Sequence, residues 1–195
     1  MQVVVVLAHP NVDSFCHALA QRAVAGLTAG GHQSELIDLY ALGVSAAMSP
    51  AEHAAYHGET PILDPLIQSH ADLVRAADAL VFVYPTWWSS TPAILKGWLE
   101  RVMVPGVAFV FNKDGKVRPG LTNVRHVVGI STYGSPRVYV RLINDNGRRM
   151  ITRALRLNTG LRTRRSWLGL YAIDTATAAE RESFLQRVEQ KLRSL

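Results

Sequence analysis

Two runs of consecutive apolar residues decide most of what this chain can fold into. Val3 to Ala8 and Ala79 to Tyr84 contain no polar residue, so neither shows the alternation of a half-exposed strand. A strand that is apolar on both sides needs cover on both faces, as parallel strands have in a sheet layered with helices. The first run leads into the polar loop His9 to Asp13 and the second stops at Pro85; a helical pattern follows each. The N-terminal run has no basic residue ahead of it and reads as a strand rather than a signal peptide. No window approaches the roughly 18 consecutive apolar residues of a membrane helix, so no membrane span is expected.

The other segments continue the alternation. Ser14 caps a helix from Phe15 to Leu27 that ends at Gly30-Gly31, and Glu35 to Leu39 reads as the second strand. Tyr40 to Asp64 is irregular with room for one short helix, and Pro65 to Ala77 is helical. Thr91 supplies a cap and Pro92 the first position of a helix whose apolar face is Ile94, Leu95, Trp98, Leu99 and Val102. Ala108 to Phe111, with the turn at Lys113-Asp114-Gly115, forms a hairpin arm, and Val124 to Ser131 is the next core strand. A helix from Tyr139 to Leu157, a strand from Trp167 to Ile173 and a helix opened by the Thr177/Glu180 capping box complete the chain. Five strands alternating with helices predict an α/β fold, a doubly wound five-stranded parallel sheet with helices on both faces. With 195 residues, 48% of them apolar, a single domain over 1–195 is expected.

Charge narrows the partners. The net charge is +6, but the stretch from Arg137 to Arg165 holds nine arginines against Asp145 alone, a local +8 that leaves −2 for the rest. A solvated basic helix face, with Ile151, Ala154 and Leu155 turned inward, accounts for it, and no nucleic-acid module accompanies it, so no nucleic-acid partner is expected. Cys16, the only cysteine, excludes an internal disulfide and zinc spacing, and points to a reducing cytoplasm. His53 and His57 have metal-ligand spacing without a third ligand, so no metal site is expected.

Ligands of such sheets lie beyond the carboxyl ends of the strands, where strand order reverses. Three loops leave strand ends: His9 to Ser14, Pro85 to Thr91, and Thr132 to about Val138. No G-x-G-x-x-G and no P-loop occurs after any strand. Gly129 to Gly134 is one residue too long for a nucleophile elbow, and the last histidine, His126, precedes it, so a hydrolase triad is excluded. What remains is Trp87-Trp88 at a strand end, an aromatic platform, opposite small residues from Ser131 to Gly134 whose backbone N–H groups can bond an acceptor edge. That pairing suits a flavin ring. The His9–Ser14 loop entering a helix N-terminus suits phosphate oxygens. Each feature also has a plainer use: Ser14 as a cap, Trp87 packed under the following helix, Cys16 as a small packed residue.

Three stretches resemble the flavodoxin-like NAD(P)H:quinone oxidoreductases and their bacterial relatives. They are Leu7-Ala8-His9-Pro10 with Ser14-Phe15; Tyr84 to Val102, the most specific; and Ser131-Thr132-Tyr133-Gly134-Ser135. The resemblance implies that flavin phosphates sit by His9, Ser14 and Phe15. The ring then lies against Pro85, Thr86, Trp88 and Ser89, beside Trp87, and Ser131 to Gly134 bond its pyrimidine side. It implies FAD, with FMN as the alternative, NADPH or NADH as hydride donor, and a quinone or similar two-electron acceptor reduced by ping-pong transfer in one pocket. It implies a homodimer with flavin sites at the interface and the Ile94–Val102 helix as one contact. The chain departs from the family at Cys16, where FAD-binding relatives often have a polar residue, and at Tyr133, where they often have glycine. Of the family's Tyr/His proton-handling pair only the tyrosine is matched, by Tyr139; Asp145 or a water would take the histidine's place. Tyr139 and Tyr133 are the catalytic candidates. A flavodoxin-type electron carrier and an ancillary flavoprotein of a potassium efflux system are the rival readings, and the arginines, Arg137 and Arg141 foremost, are candidates for the extra phosphate of NADPH.

Overall fold

The structure is a computed structural model describing residues 1–195. Five parallel strands, β1 (Gln2–Leu7), β2 (Gln33–Asp38), β3 (Ala79–Pro85), β6 (His126–Thr132) and β7 (Arg164–Leu170), form one sheet in the order β2-β1-β3-β6-β7. Both runs read from the sequence are strands, and β3 is buried at every position. Alternate residues serve opposite faces. Val4, Val6, Leu80, Phe82 and Tyr84 face helices α3 (Pro65–Ala76) and α4 (Ala93–Val102), whereas Val3, Val5, Leu7, Val81 and Val83 face α1 (Phe15–Ala29) and α8 (Ala178–Arg193).

Glycine lets the layers approach. A Cβ on Gly26 of α1 would sit 2.4 Å from the Glu189 carbonyl oxygen of α8, and one on Gly97 of α4 would sit 1.8 Å from that of Ala46. Within the sheet, a Cβ on Gly129 would lie 2.1 Å from the Trp167 ring on the neighbouring strand. The irregular first part of the crossover after β2, residues 39–64, holds only the short helix α2 (Pro50–Ala55) and is pinned by buried Arg101, which donates to Glu52 at 2.8 Å, Asp64 at 2.8 Å and the Ser45 carbonyl at 3.0 Å. Burial would raise the Glu52 and Asp64 carboxyls, but Arg101 and local backbone amides outweigh it and hold both below the usual range.

Several expectations are corrected. Pro92, not Thr91, is the cap of α4, and it makes no side-chain bond; the Thr91 hydroxyl is buried without a partner. The apolar face of α4 lies in the core, leaving Ala93, Lys96 and Glu100 outward. The last strand begins three residues earlier than expected, because Arg164 to Ser166 pair with His126 to Val128. β4 (Phe109–Phe111) and β5 (Val117–Pro119) form the expected hairpin.

The largest correction concerns the helix expected over Tyr139–Leu157. It is four pieces: α5 (Arg137–Leu142), α6 (Asn146–Arg149), a π-helical turn (Met150–Ala154) and α7 (Leu155–Thr159). Asn144 and Asp145, both at positive φ (79° and 45°), break it. Asn and Asp tolerate the left-handed region because their short polar side chains can bond locally. Ile151 and Leu155 are buried as expected, but Ala154 is exposed.

Candidate functional site

The strand order reverses between β1 and β3, and the three loops meet there. The His9 and Trp87 rings are 5.7 Å apart, Thr86 and Ser131 hydroxyls are 2.8 Å apart, and Cys16 Sγ lies 3.7 Å from Thr132 Oγ1. Pro85 pairs with Thr132 across the strands.

At the first loop, Ser14 caps α1, accepting from the His17 amide at 3.3 Å, and its hydroxyl also lies 3.1 Å from His17 Nδ1. His17 Nε2 reaches Asp38 at 3.1 Å, so an Nε2–H tautomer leaves Nδ1 to accept from Ser14. The His9 Nδ1 accepts from the Asn11 amide at 3.0 Å, leaving Nε2–H as that ring's free donor. Burial, and secondarily His17, lowers the His9 pKa, so the ring is neutral at pH 7. The amides of Val12, Phe15 and Cys16 have no protein acceptor. These unpaired donors gather at one helix start, an arrangement that suits an anion. Cys16 behaves as a packed thiol: burial raises its pKa to about 11.

At the second loop Trp87 and Ser90 bond each other's backbones at 3.1 and 3.0 Å, closing a tight turn. The two residues between them, Trp88 and Ser89, adopt positive φ (48° and 62°). A bulky residue is strained there, and such strain concentrates at functional sites. The consequence is a tryptophan 100% exposed at a strand's carboxyl end. Trp87 packs on His9, not under the following helix.

The third loop differs from expectation. Ser131 and Thr132 lie buried within β6, and the Tyr133 amide donates to Leu170, so the amides without acceptors are those of Gly134 and Ser135. A cavity of about 610 Å³ opens between this loop and the second, lined by Thr86, Trp88, Ser89, Tyr133, Gly134 and Ser135 and closed by Tyr139, Val140, Ile143, Asp145 and Asn146. Pro85, Trp87, Ser131 and Thr132 are not among the residues lining this cavity, and His9, Ser14 and Phe15 lie at the first loop instead.

Sequence reasoning gave Asp145 only as a stand-in; the structure places it in the cavity wall. The Tyr133 hydroxyl donates to it at 3.1 and 3.3 Å, while Tyr133 stacks on Tyr171 with ring centroids 4.5 Å apart. Burial raises the Asp145 carboxyl above the usual range, with Tyr133 and the Arg148 and Arg149 guanidiniums only partly offsetting it. Burial and the adjacent carboxylate also hold Tyr133 protonated. Tyr84, fully buried beneath, has an unpaired hydroxyl raised by burial and by Asp145. Gly147 permits that closeness, since a Cβ there would lie 3.1 Å from the Tyr84 oxygen. The signal for Asp145 was the run Asn144-Asp145-Asn146-Gly147, a turn sequence inside an apparent helix.

A flavin fits these residues: unsatisfied amides at both ends of the crevice, an exposed indole between them, and a cavity with few charged groups on its wall. His53 and His57 are exposed, no cluster of metal-ligating side chains exists, and no helix is long and apolar enough to cross a membrane.

Comparison with known proteins gives one answer. Residues 1–194 match the family model Flavodoxin_2, a flavodoxin-like fold. The chain is 31% identical over 153 residues to NAD(P)H dehydrogenase [quinone] 1 of Cavia porcellus, covering 71% of this chain and 55% of that protein. It is 30% identical over 166 residues to ribosyldihydronicotinamide dehydrogenase [quinone] of Homo sapiens, covering 75% and 70%. The chain thus spans little more than half of the first relative's length. Among solved structures, Smu.1420 from Streptococcus mutans UA159 superposes with a TM-score of 0.85 at 25% identity, each chain covered completely.

Proposed function

The chain belongs to the flavodoxin-like family of NAD(P)H:quinone oxidoreductases, and from that premise we propose that it is a flavin-dependent NAD(P)H oxidoreductase reducing quinones or similar two-electron acceptors. The observation that carries this reading is the cavity between Trp88 and the Gly134–Ser135 amides, beside a first loop whose His9 ring lies 5.7 Å from that of Trp87 and whose Phe15 and Cys16 amides lack acceptors. A flavin bound there would supply two-electron hydride chemistry, linking oxidation of a dihydronicotinamide donor to reduction of the acceptor.

The residues of this chain do the rest. Trp88 and Thr86 bound the ring, with Ser89 beside them; Gly134 and Ser135 amides bond its acceptor edge and favour negative charge developing there. His9 Nε2–H and the Phe15 amide bond phosphate, with Ser14 holding the helix start in place. Tyr139 and Tyr133 handle the proton: Tyr133 through its bond to Asp145, Tyr139 from the open side of the cavity, where its side chain is half exposed. FAD is the proposed form, with FMN as the alternative. A homodimer is proposed because Trp88, Val138 and Leu142, which are 100%, 71% and 79% exposed, border or flank the cavity entrance and call for cover. A cytoplasmic setting accords with the single buried thiol.

Purified protein should be yellow, or become so with FAD or FMN, and bleach on adding NAD(P)H, with colour returning when a quinone is supplied. Mass analysis of the heat-released flavin identifies the form. A protein that neither carries nor takes up flavin overturns the reading.

A further inference from the structure

Beside the flavin cavity lies a second one, of about 650 Å³, with six arginines on its wall: Arg137, Arg141, Arg148, Arg149, Arg153 and Arg165. A smaller recess sharing Arg137, Arg148, Trp167 and Tyr171 adds Arg187. The helix break explains the gathering. An unbroken helix would spread these side chains along a rod, but the left-handed pair Asn144–Asp145 interrupts it between α5 and α6, and arginines of α5, α6 and the π-helical turn line one concavity with Arg165 of β7.

These arginines have almost no partners within the chain. None of the eight ion pairs uses one. Arg165 donates to the Thr152 carbonyl, and Arg137 and Arg148 lie 6.0 Å from the Tyr171 and Trp167 ring centroids. Arg141, Arg149 and Arg153 have neither an acceptor nor a ring. Asp145 is the only carboxylate on the wall. Like charges gathered in a concavity repel, and each guanidinium presents a fork of donors matched to phosphate oxygens. The chemistry recognised is therefore a polyphosphate.

The two cavities share Val140 and Asp145 as a common wall. Building on the flavin reading, we propose that the arginine-lined cavity holds the phosphates of the dihydronicotinamide donor and selects NADPH over NADH. A diphosphate bridge carries two negative charges, fewer than six arginines and one carboxylate leave unbalanced; the 2′-phosphate of NADPH supplies about two more. A donor with no phosphate would leave the cavity idle.

The test uses flavin-loaded protein. Titration with NADP⁺ and NAD⁺ should show NADP⁺ bound about tenfold or more tightly, with affinity falling steeply as KCl rises. In Arg149→Gln/Arg153→Gln, two exposed residues without ring or carbonyl contacts, the NADPH/NADH ratio of kcat/KM should fall by about tenfold, mostly through KM. Arg141→Gln is the independent second variant. Equal NADP⁺ and NAD⁺ affinities in the wild type, or an unchanged ratio in both variants, overturn the inference. The flavin reading fails separately, by absence of flavin uptake, and NADP⁺ titration of the flavin-free protein still scores the cavity.

Discussion

Trp88 and Asp145 are held in backbone conformations that few side chains adopt, and both border the same cavity. Trp88→Ala should weaken flavin binding about five- to tenfold, the magnitude of one aromatic stack, whereas Trp87→Ala, which removes a ring packed on His9, should weaken it less; fluorescence titration with flavin compares them. Asp145 has a raised pKa, so its charged form is disfavoured by folding and the penalty appears as pH rises past the unfolded carboxyl's value. Asp145→Asn, which keeps an acceptor for Tyr133, should therefore gain stability relative to wild type at neutral pH and lose that advantage in acid. Thermal melts across pH 4 to 8 read this, and a pH-independent difference would contradict the burial argument. At this scale the caps at Ser14 and Thr177 were legible, because a capping side chain and its amide are neighbours in sequence. The Tyr133–Asp145 bond was not, because it joins a strand end to a break that the helical periodicity concealed.

Among elements, the close approaches decide stability. Gly26→Ala would force α1 from the α8 backbone, where nothing flexible can yield, and should cost about 1–3 kcal/mol, read as a lower urea midpoint at unchanged slope. The Arg101 cluster is the more sensitive joint. Arg101→Met leaves Glu52 and Asp64 charged with no cation, and should cost about 3–5 kcal/mol near pH 7. Both carboxyls are depressed in the folded state, so their contribution is present above the unfolded values, ~4, and is lost as pH falls through the lower folded ones. The variant's deficit should shrink in acid; a deficit constant from pH 7 to pH 3 would mean packing, not charge, is responsible. Apolar runs made β1 and β3 readable, but β7 began outside its expected range because Arg164 and Arg165 carry no apolar signal. The nine arginines invited the reading of one solvated helix, and only the break at Asn144–Asp145 shows why six of them share a cavity.

For the whole molecule, the parallel sheet followed from strands alternating with helices, and with it the expectation that three strand-end loops face one crevice; the structure puts the change of strand order between β1 and β3. Charge distribution could not be placed that way, since a count along the chain says nothing of which arginines share a cavity. If the exposed rim around Trp88 is covered by a second copy, sedimentation should give a dimer, and Leu142→Glu should shift it toward monomer and lower flavin affinity together. A stable monomer that binds flavin fully would remove the interface from the site.

The π-helical turn at Met150–Ala154 amounts to one surplus residue threaded into a helix. Each residue advances a helix by about 100°, so deleting one there would restore the ordinary winding and rotate everything beyond it by that angle. Ile151 and Leu155, four residues apart and therefore on one face, are both buried. The segment thus carries two stripes of opposite character, Ile151 and Leu155 in the core and Arg149 and Arg153, also four apart, turned to the second cavity.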